Sequence, residues 1–317
     1  MRVLVAGATG VVGHPLVGAL RERGHQVSAL VRDESRAPDA DRIVVADALD
    51  RETLLSGVRD ARPEVVVHQL SALRLLREDP PEAFARTARL RTEGTANLIE
   101  AARAAGARRL VAQSIAFAAV PAGAPVLDED APLYVDAPDP GWAATVRAVA
   151  ALERLVLDTG RDLAGVALRY GTLYGPGTAY ARDGGTGQRV LAGKLPLPEG
   201  GAGVTSFLHV EDAVGAAVAA VESTSTGAFH VTDDEPARAA RWLPHYARTL
   251  GAPPPRTIPA TLAPRLLGWF MAHQLTAARG AANDRARAAL GWKPTHPSWR
   301  DGLGHGPRVA PDGEGTR

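Results

Sequence analysis

Residues 1–13 read Met1-Arg-Val-Leu-Val-Ala-Gly7-Ala-Thr-Gly10-Val-Val-Gly13. Val3 to Ala6 form a short, continuously apolar run rich in β-branched side chains, which suits a strand buried on both faces of a parallel sheet. Three glycines follow at three-residue spacing. The next periodic segment, Pro15 to Arg23, reads as a helix that Gly24 ends, and Pro15 costs little in a first turn. Strand, glycine turn and helix bring unpaired backbone N–H groups and the positive end of a helix dipole to one point. Glycines there let a diphosphate approach the backbone. The order of these signals predicts a nucleotide-binding turn rather than an ordinary βα connection.

Working outward, strand and helix patterns alternate as far as residue 170. Strands are expected at Val27–Val31, Ile43–Ala46, Val65–His68, Leu110–Gln113 and Gly165–Arg169. Helices are expected at Arg51–Val58, Pro81–Ala105 and Val146–Asp158, with Gly106 and Gly160 placed to cap two of them. Such alternation predicts an α/β fold, a doubly wound parallel (Rossmann) sheet with right-handed crossovers. After Gly175-Pro176-Gly177 the regularity breaks, with loop-rich stretches at Asp183–Gly187 and Leu195–Gly203. A strand at Ser206–Val210, a helix at Ala213–Val221 and a strand at Ala228–Val231 follow, then helical patterns at Trp242–Leu250 and Ala281–Leu290. The expected division is a dinucleotide-binding domain over 1–172 with returning elements from about 205–233. Residues 173–303 form mainly a smaller C-terminal substrate-side lobe, and 304–317 a frayed tail rich in glycine, proline and charge.

The 317 residues are 45% hydrophobic and carry a formal net charge of +1. That is enough for one large core with an appended lobe, and near-neutrality argues against a general nucleic-acid surface. With no cysteine, disulfides, thiolate nucleophiles and sulfur-ligated zinc are excluded. The apolar run after Arg2 is too short and glycine-broken for a signal peptide, and no window reaches the roughly 18 apolar residues of a membrane span. The expectation is a cytoplasmic protein acting on a small molecule, without nucleic-acid or membrane partners, with a homodimer left open. The histidines are widely spaced and no clustered carboxylate set appears, so no metal site is expected. Asp128-Glu129-Asp130 reads as a solvated loop.

The chain resembles the extended short-chain dehydrogenase/reductase superfamily, in the branch of nucleotide-sugar epimerases and dehydratases. The motifs that carry this are Gly7-x-x-Gly10-x-x-Gly13, Asp47, Gly94-Thr95-x-Asn97-Leu98, Ser114, Arg169-Tyr170-Gly171-Thr172-Leu173-Tyr174-Gly175-Pro176-Gly177, His209-Val210-Glu211-Asp212-Ala213 and Leu290-Gly291-Trp292-Lys293-Pro294. The resemblance implies a bound NAD or NADP and a substrate between the sheet's carboxyl edge and the smaller lobe. The implied cofactor contacts are Gly7, Thr9, Gly10, Val11, Val12 and Gly13 in the turn, Asp47 (to the adenine amino group) with Ala48, and Leu70. A ribose 2′-hydroxyl favours an acidic partner after the second strand, and a 2′-phosphate an arginine. Here Arg32 stands at the strand tip, where its guanidinium can bind phosphate through two donors. NADP is therefore preferred, while Asp33 keeps NAD open.

One departure is plain. Family catalysis uses a tyrosine and a lysine four residues apart on one helix, where the lysine charge lowers the tyrosine pKa from about 10. Aligning on Glu153 puts Thr145 at the tyrosine position and Val149 at the lysine position. The only lysines are Lys194 and Lys293, and no tyrosine has lysine four residues later. The proton-relay candidates that remain are Ser114, at the position implied to polarise a carbonyl, His68 at the end of the fourth strand, Tyr174 and Thr145, with His209 a weaker one. Arg169, Tyr180 and Arg182 are the candidate substrate contacts, though Arg169 equally fits an internal ion pair. Three functions fit: an atypical NAD(P)-dependent oxidoreductase with a non-standard proton donor, a non-redox isomerase, dehydratase or cyclase, and a cofactor-binding sensor. The first is the expectation, acting on a smaller or more apolar molecule than a nucleotide sugar.

Overall fold

The computed structural model describes residues 1–73 and 80–304. The first half contains β1 (Arg2–Ala6), α1 (Gly13–Glu22), β2 (Gln26–Val31), β3 (Arg42–Val45), α2 (Arg51–Ala61), β4 (Val65–His68), α3 (Pro80–Arg89), α4 (Thr95–Ala104), β5 (Arg109–Ile115), β6 (Val126–Leu127), α5 (Pro140–Leu157) and β7 (Ala164–Tyr170). The second contains β8 (Thr172–Tyr174), α6 (Gly185–Leu191), β9 (Leu197–Pro198), β10 (Val204–Thr205), β11 (Phe207–His209), α7 (Val210–Glu222), β12 (Gly227–Val231), β13 (Ala237–Arg238), α8 (Ala239–Leu250), β14 (Thr257–Ile258), α9 (Ala263–Leu267), α10 (Trp269–Thr276), β15 (Gly280–Ala281) and α11 (Asp284–Leu290).

Seven strands pair in parallel in the order β12-β7-β5-β4-β1-β2-β3. The chain winds outward from β1 to β3, then returns to lay β4 on the other flank of β1. That reversal opens a crevice at the carboxyl edge, between the turns leaving β1 and β4. Along β1 the faces alternate. Val3 and Val5 pack with α1, α7 and α11, whereas Leu4 and Ala6 pack with α2, α4 and α5. Both layers are apolar because a parallel sheet is covered on its two sides. The lobe has its own aromatic core, including Tyr174, Phe207, Trp242, Tyr246 and Trp299. No helix among the described residues is long and apolar enough to cross a membrane. Positions 305–317 of the expected tail, His305 included, lie outside the described residues.

Several boundaries differ from the sequence expectation. The helix expected from Val146 starts at Pro140, because Asp139 accepts from the Trp142 amide at 2.7 Å and Pro140 sits in the first turn. The helix expected over Pro81–Ala105 is two helices joined by a π-helical turn, Leu90–Gly94. The stretch expected as loop at Asp183–Gly187 runs into α6, and Ala281–Leu290 divides into β15 and α11. Asp128 to Asp130 is only partly solvated. Glu129 is buried, accepts the His230 amide at 2.8 Å and lies 3.4 Å from Arg285. Gly24, Gly106 and Gly160 do take positive φ after their helices, at 80°, 77° and 80°.

Candidate active site

The turn after β1 is shaped by what glycine omits. Gly7 has φ 89°, and a Cβ there would lie 2.5 Å from the Gln69 carbonyl oxygen. A Cβ on Gly13 would lie 2.1 Å from the Gly7 oxygen. The Gly10 amide donates to that same oxygen at 2.9 Å and closes the turn. No side chain caps α1, and the amides of Val11, Val12 and Gly13 have no partner among the described residues. Unsatisfied donors at a helix N-terminus, with no Cβ in front of them, fit a diphosphate. Thr9 is half-buried in this turn, and Val11 is 37% exposed at its rim.

Arg32 is exposed at the end of β2 with no partner among the described residues. Asp33 is occupied locally: its Oδ1 accepts from the Ser35 amide at 3.0 Å and the Ser35 hydroxyl at 2.7 Å. Those hydrogen bonds hold its carboxyl below the usual range. Asp47 accepts from the Leu49 amide at 3.0 Å and pairs with Arg86. The Ala48 carbonyl accepts from Asn97 at 2.9 Å, so the Gly94-Thr95-x-Asn97 motif braces the turn after β3. Leu70 is half-buried past β4, and its carbonyl accepts from Gln113 at 3.3 Å.

The proton-relay candidates are largely committed elsewhere. Ser114, buried on β5, donates to Glu153 Oε1 at 2.6 Å. Strand alternation turns Ser114 towards Glu153 on α5. In this arrangement Ser114 is a structural partner of Glu153. His68 has no exposed surface, contacts Thr95 Oγ1 through Nε2 at 3.0 Å and accepts the Leu70 amide on Nδ1 at 3.2 Å. Burial pushes its pKa down to about 4, so it stays neutral and holds the end of β4 against α4. Tyr174 is fully buried in the lobe core, and burial raises its pKa. Thr145 donates back to the Gly141 carbonyl at 3.0 Å, and Val149 beside it is fully buried.

The substrate candidates are likewise engaged within the chain. Arg169 is buried and bonds Glu153 through Nε at 2.8 Å and Nη2 at 2.7 Å, with Nη1 on the Glu129 carbonyl at 2.9 Å. Every nitrogen is used internally. Arg182 donates to the Leu250 carbonyl at 2.9 Å, where it satisfies the end of α8. Tyr180 packs into the lobe core, and burial pushes its pKa up to about 12. His209 caps α7, with its ring 3.8 Å from that of His296. One ring nitrogen from each histidine and a Glu211 carboxylate oxygen lie within 4.8 Å of one another. The two rings are tilted at 32°, and His209 Nδ1 accepts the Glu211 amide.

Serine 114 carries a direct prediction. Ser114→Ala should leave turnover within about threefold of wild type and cost about 1 kcal/mol of stability, the net worth of one hydrogen bond. Steady-state kinetics beside urea denaturation checks this, and a tenfold fall in kcat at unchanged stability would contradict it.

Sequence reasoning missed a ring cluster. Phe117 follows β5, Trp142 lies in the first turn of α5, and Phe270 lies on α10. Trp142 is 4.6 Å from Phe270 and 6.2 Å from Phe117 between ring centroids. The aromatic residues were visible, but their convergence from three distant segments was not.

Residues 3–231 match the NAD dependent epimerase/dehydratase family. The chain belongs to that family. It is 86% identical over 304 residues, covering 96% of this chain and 99% of the relative, to the 3-diazoavenalumate denitrifying reductase of a Streptomyces species. It is 29% identical to the 2-alkyl-3-oxoalkanoate reductase of Stenotrophomonas maltophilia, over 80% of this chain and 77% of that one. Among solved structures, UDP-glucose 4-epimerase of Thermus thermophilus in complex with NAD superimposes with TM-score 0.70 at 26% identity, covering 96% of each chain. This family member is a nicotinamide-dependent oxidoreductase of the short-chain dehydrogenase/reductase type.

Proposed function

We propose that the chain replaces a diazo group by hydrogen, with NADP(H) as cofactor and a diazo carboxylate as substrate. The observation that carries this reading is the absence, among the described residues of the crevice, of the family's proton relay: Thr145 and Val149 stand where tyrosine and lysine are expected, and Ser114 is bonded to Glu153. Carbonyl reduction creates an alkoxide and needs a proton donor. A diazonium carbon does not. It gains a hydride while its C–N bond breaks and the bonding pair leaves on nitrogen, so R–N2⁺ plus hydride gives R–H and N2. NADPH bound in the crevice supplies that hydride. The chain's own part is to seat the cofactor on the Gly7–Gly13 turn, orient the substrate and exclude water that would capture the cation. The 86%-identical Streptomyces relative bears the name of such a reductase.

The test uses 3-diazoavenalumate with 4-deuterated NADPH in ordinary water, and the converse labelling in heavy water. Deuterium should enter the product at the former diazo carbon from the cofactor alone, with one N2 released per NADPH oxidised. Solvent deuterium at that carbon, or NADPH oxidation without N2, would overturn the reading.

The NADP preference rests on Arg32, unpaired at the strand tip, and on Asp33, whose carboxylate is turned to Ser35. Arg32→Ala should weaken NADPH binding about tenfold, roughly 1.4 kcal/mol, and NADH binding by less than about twofold. Fluorescence titration of both nucleotides measures it, and equal losses would remove Arg32 from this role.

A further inference from the structure

Phe117, Trp142 and Phe270 come from a turn after β5, the start of α5 and the lobe helix α10, and they meet beside the carboxyl edge of the sheet. Ile115 at the end of β5 and Val146 on α5 continue the same apolar surface. Phe117 lies nearly parallel to Trp142, at 13°, and Phe270 closes on Trp142 at 42°. Behind them Trp269 stacks on His273 at 4.8 Å and 7°, which steadies α10.

Two observations separate this cluster from ordinary core. Phe270 remains 38% exposed, so the rings are open on one side. Trp142 is only 8% exposed, and its indole N–H has no hydrogen-bond partner among the described residues. Buried indole N–H groups normally find an acceptor. The Trp242 N–H is also unpaired, but it is sealed at 1% exposure inside the lobe core. Of these two indoles, Trp142 is the one packed against an exposed ring, Phe270.

We infer that Phe117, Trp142 and Phe270 form the seat of a flat, ring-conjugated substrate, with the Trp142 N–H donating to a carboxylate oxygen of that molecule. This rests on, and narrows, the reading above. Alkyl diazonium ions shed N2 before they can reach a protein, whereas conjugation with an aromatic ring preserves them, so a diazo substrate that survives to be bound is planar and aromatic. Offset and tilted rings are the geometry in which such a plane is held.

The experiment uses the full chain saturated with NADP⁺ and two carboxylates without a diazo group, trans-cinnamate and 3-cyclohexylpropanoate, titrated calorimetrically. Cinnamate should bind at least about tenfold more tightly. Phe270→Ala should erase most of that preference. Trp142→Phe, which keeps a ring and removes the donor, should weaken cinnamate about fivefold or more, with NADP⁺ affinity intact in both variants. Equal affinities for the two acids in the unmutated chain would overturn the seat, even if a variant failed to fold. Cinnamate affinity untouched by both substitutions would overturn it too. Failure here alongside continued N2 release from 3-diazoavenalumate removes the seat alone, and a working seat without N2 release removes only the reduction.

Discussion

Gly13→Ala should lose nicotinamide-cofactor affinity by at least about a hundredfold, roughly 2.7 kcal/mol. The added Cβ would sit 2.1 Å from the Gly7 carbonyl oxygen and 2.9 Å from its carbon. Both are backbone atoms, with no flexible tip to swing aside. The turn must open, and the amides of Val11 to Gly13 then leave the arrangement that faces the diphosphate. Gly10→Ala meets the same oxygen at 3.2 Å and should lose far less. Gly18→Ala, on the same helix with nothing within 4 Å of its Cβ, should leave binding unchanged and add about 0.5–1 kcal/mol of stability. Calorimetric titration of the three variants orders them, and wild-type affinity in Gly13→Ala would refute the role of this turn.

The second large effect is on stability. Arg169→Met should destabilise the fold by about 3–5 kcal/mol, because it strips two charged donors from a carboxylate with no route to water. The side chains of Glu153 and Arg169 are only 6% and 9% exposed. Glu153→Leu combined with Arg169→Met should recover much of the loss, since a buried pair replaced by apolar groups of similar size is often close to neutral. Urea denaturation of the single and double variants measures both. A stable Arg169→Met with a raised KM would instead return Arg169 to the substrate.

Local signals carried the fold a long way. The apolar run of β1, the glycines after it and the positive-φ stops at Gly24, Gly106 and Gly160 are read within a few residues of each other. The start of α5 was also encoded, in Asp139-Pro140, but Gly141 interrupts the apolar period, and period alone places the helix too late. The π turn at Leu90–Gly94 has no such marker. The missing tyrosine–lysine pair was legible because it is a matter of residue type at fixed spacing.

Residue type could not say what each polar side chain touches. Ser114, Glu153, Arg169 and Glu129 lie on four segments, and only the packing of α5 against β5 and β7 joins them into one buried network. His68 could have been a catalyst by its chemistry, and burial against Thr95 decides that it stays neutral. The sequence by itself determined the βα alternation, the glycine turn and the loss of the proton relay, since backbone conformation and periodicity act over a few residues. The tertiary structure alone decided which charges are spent inside and which rings meet at the crevice, since desolvation and contact depend on residues far apart in the chain.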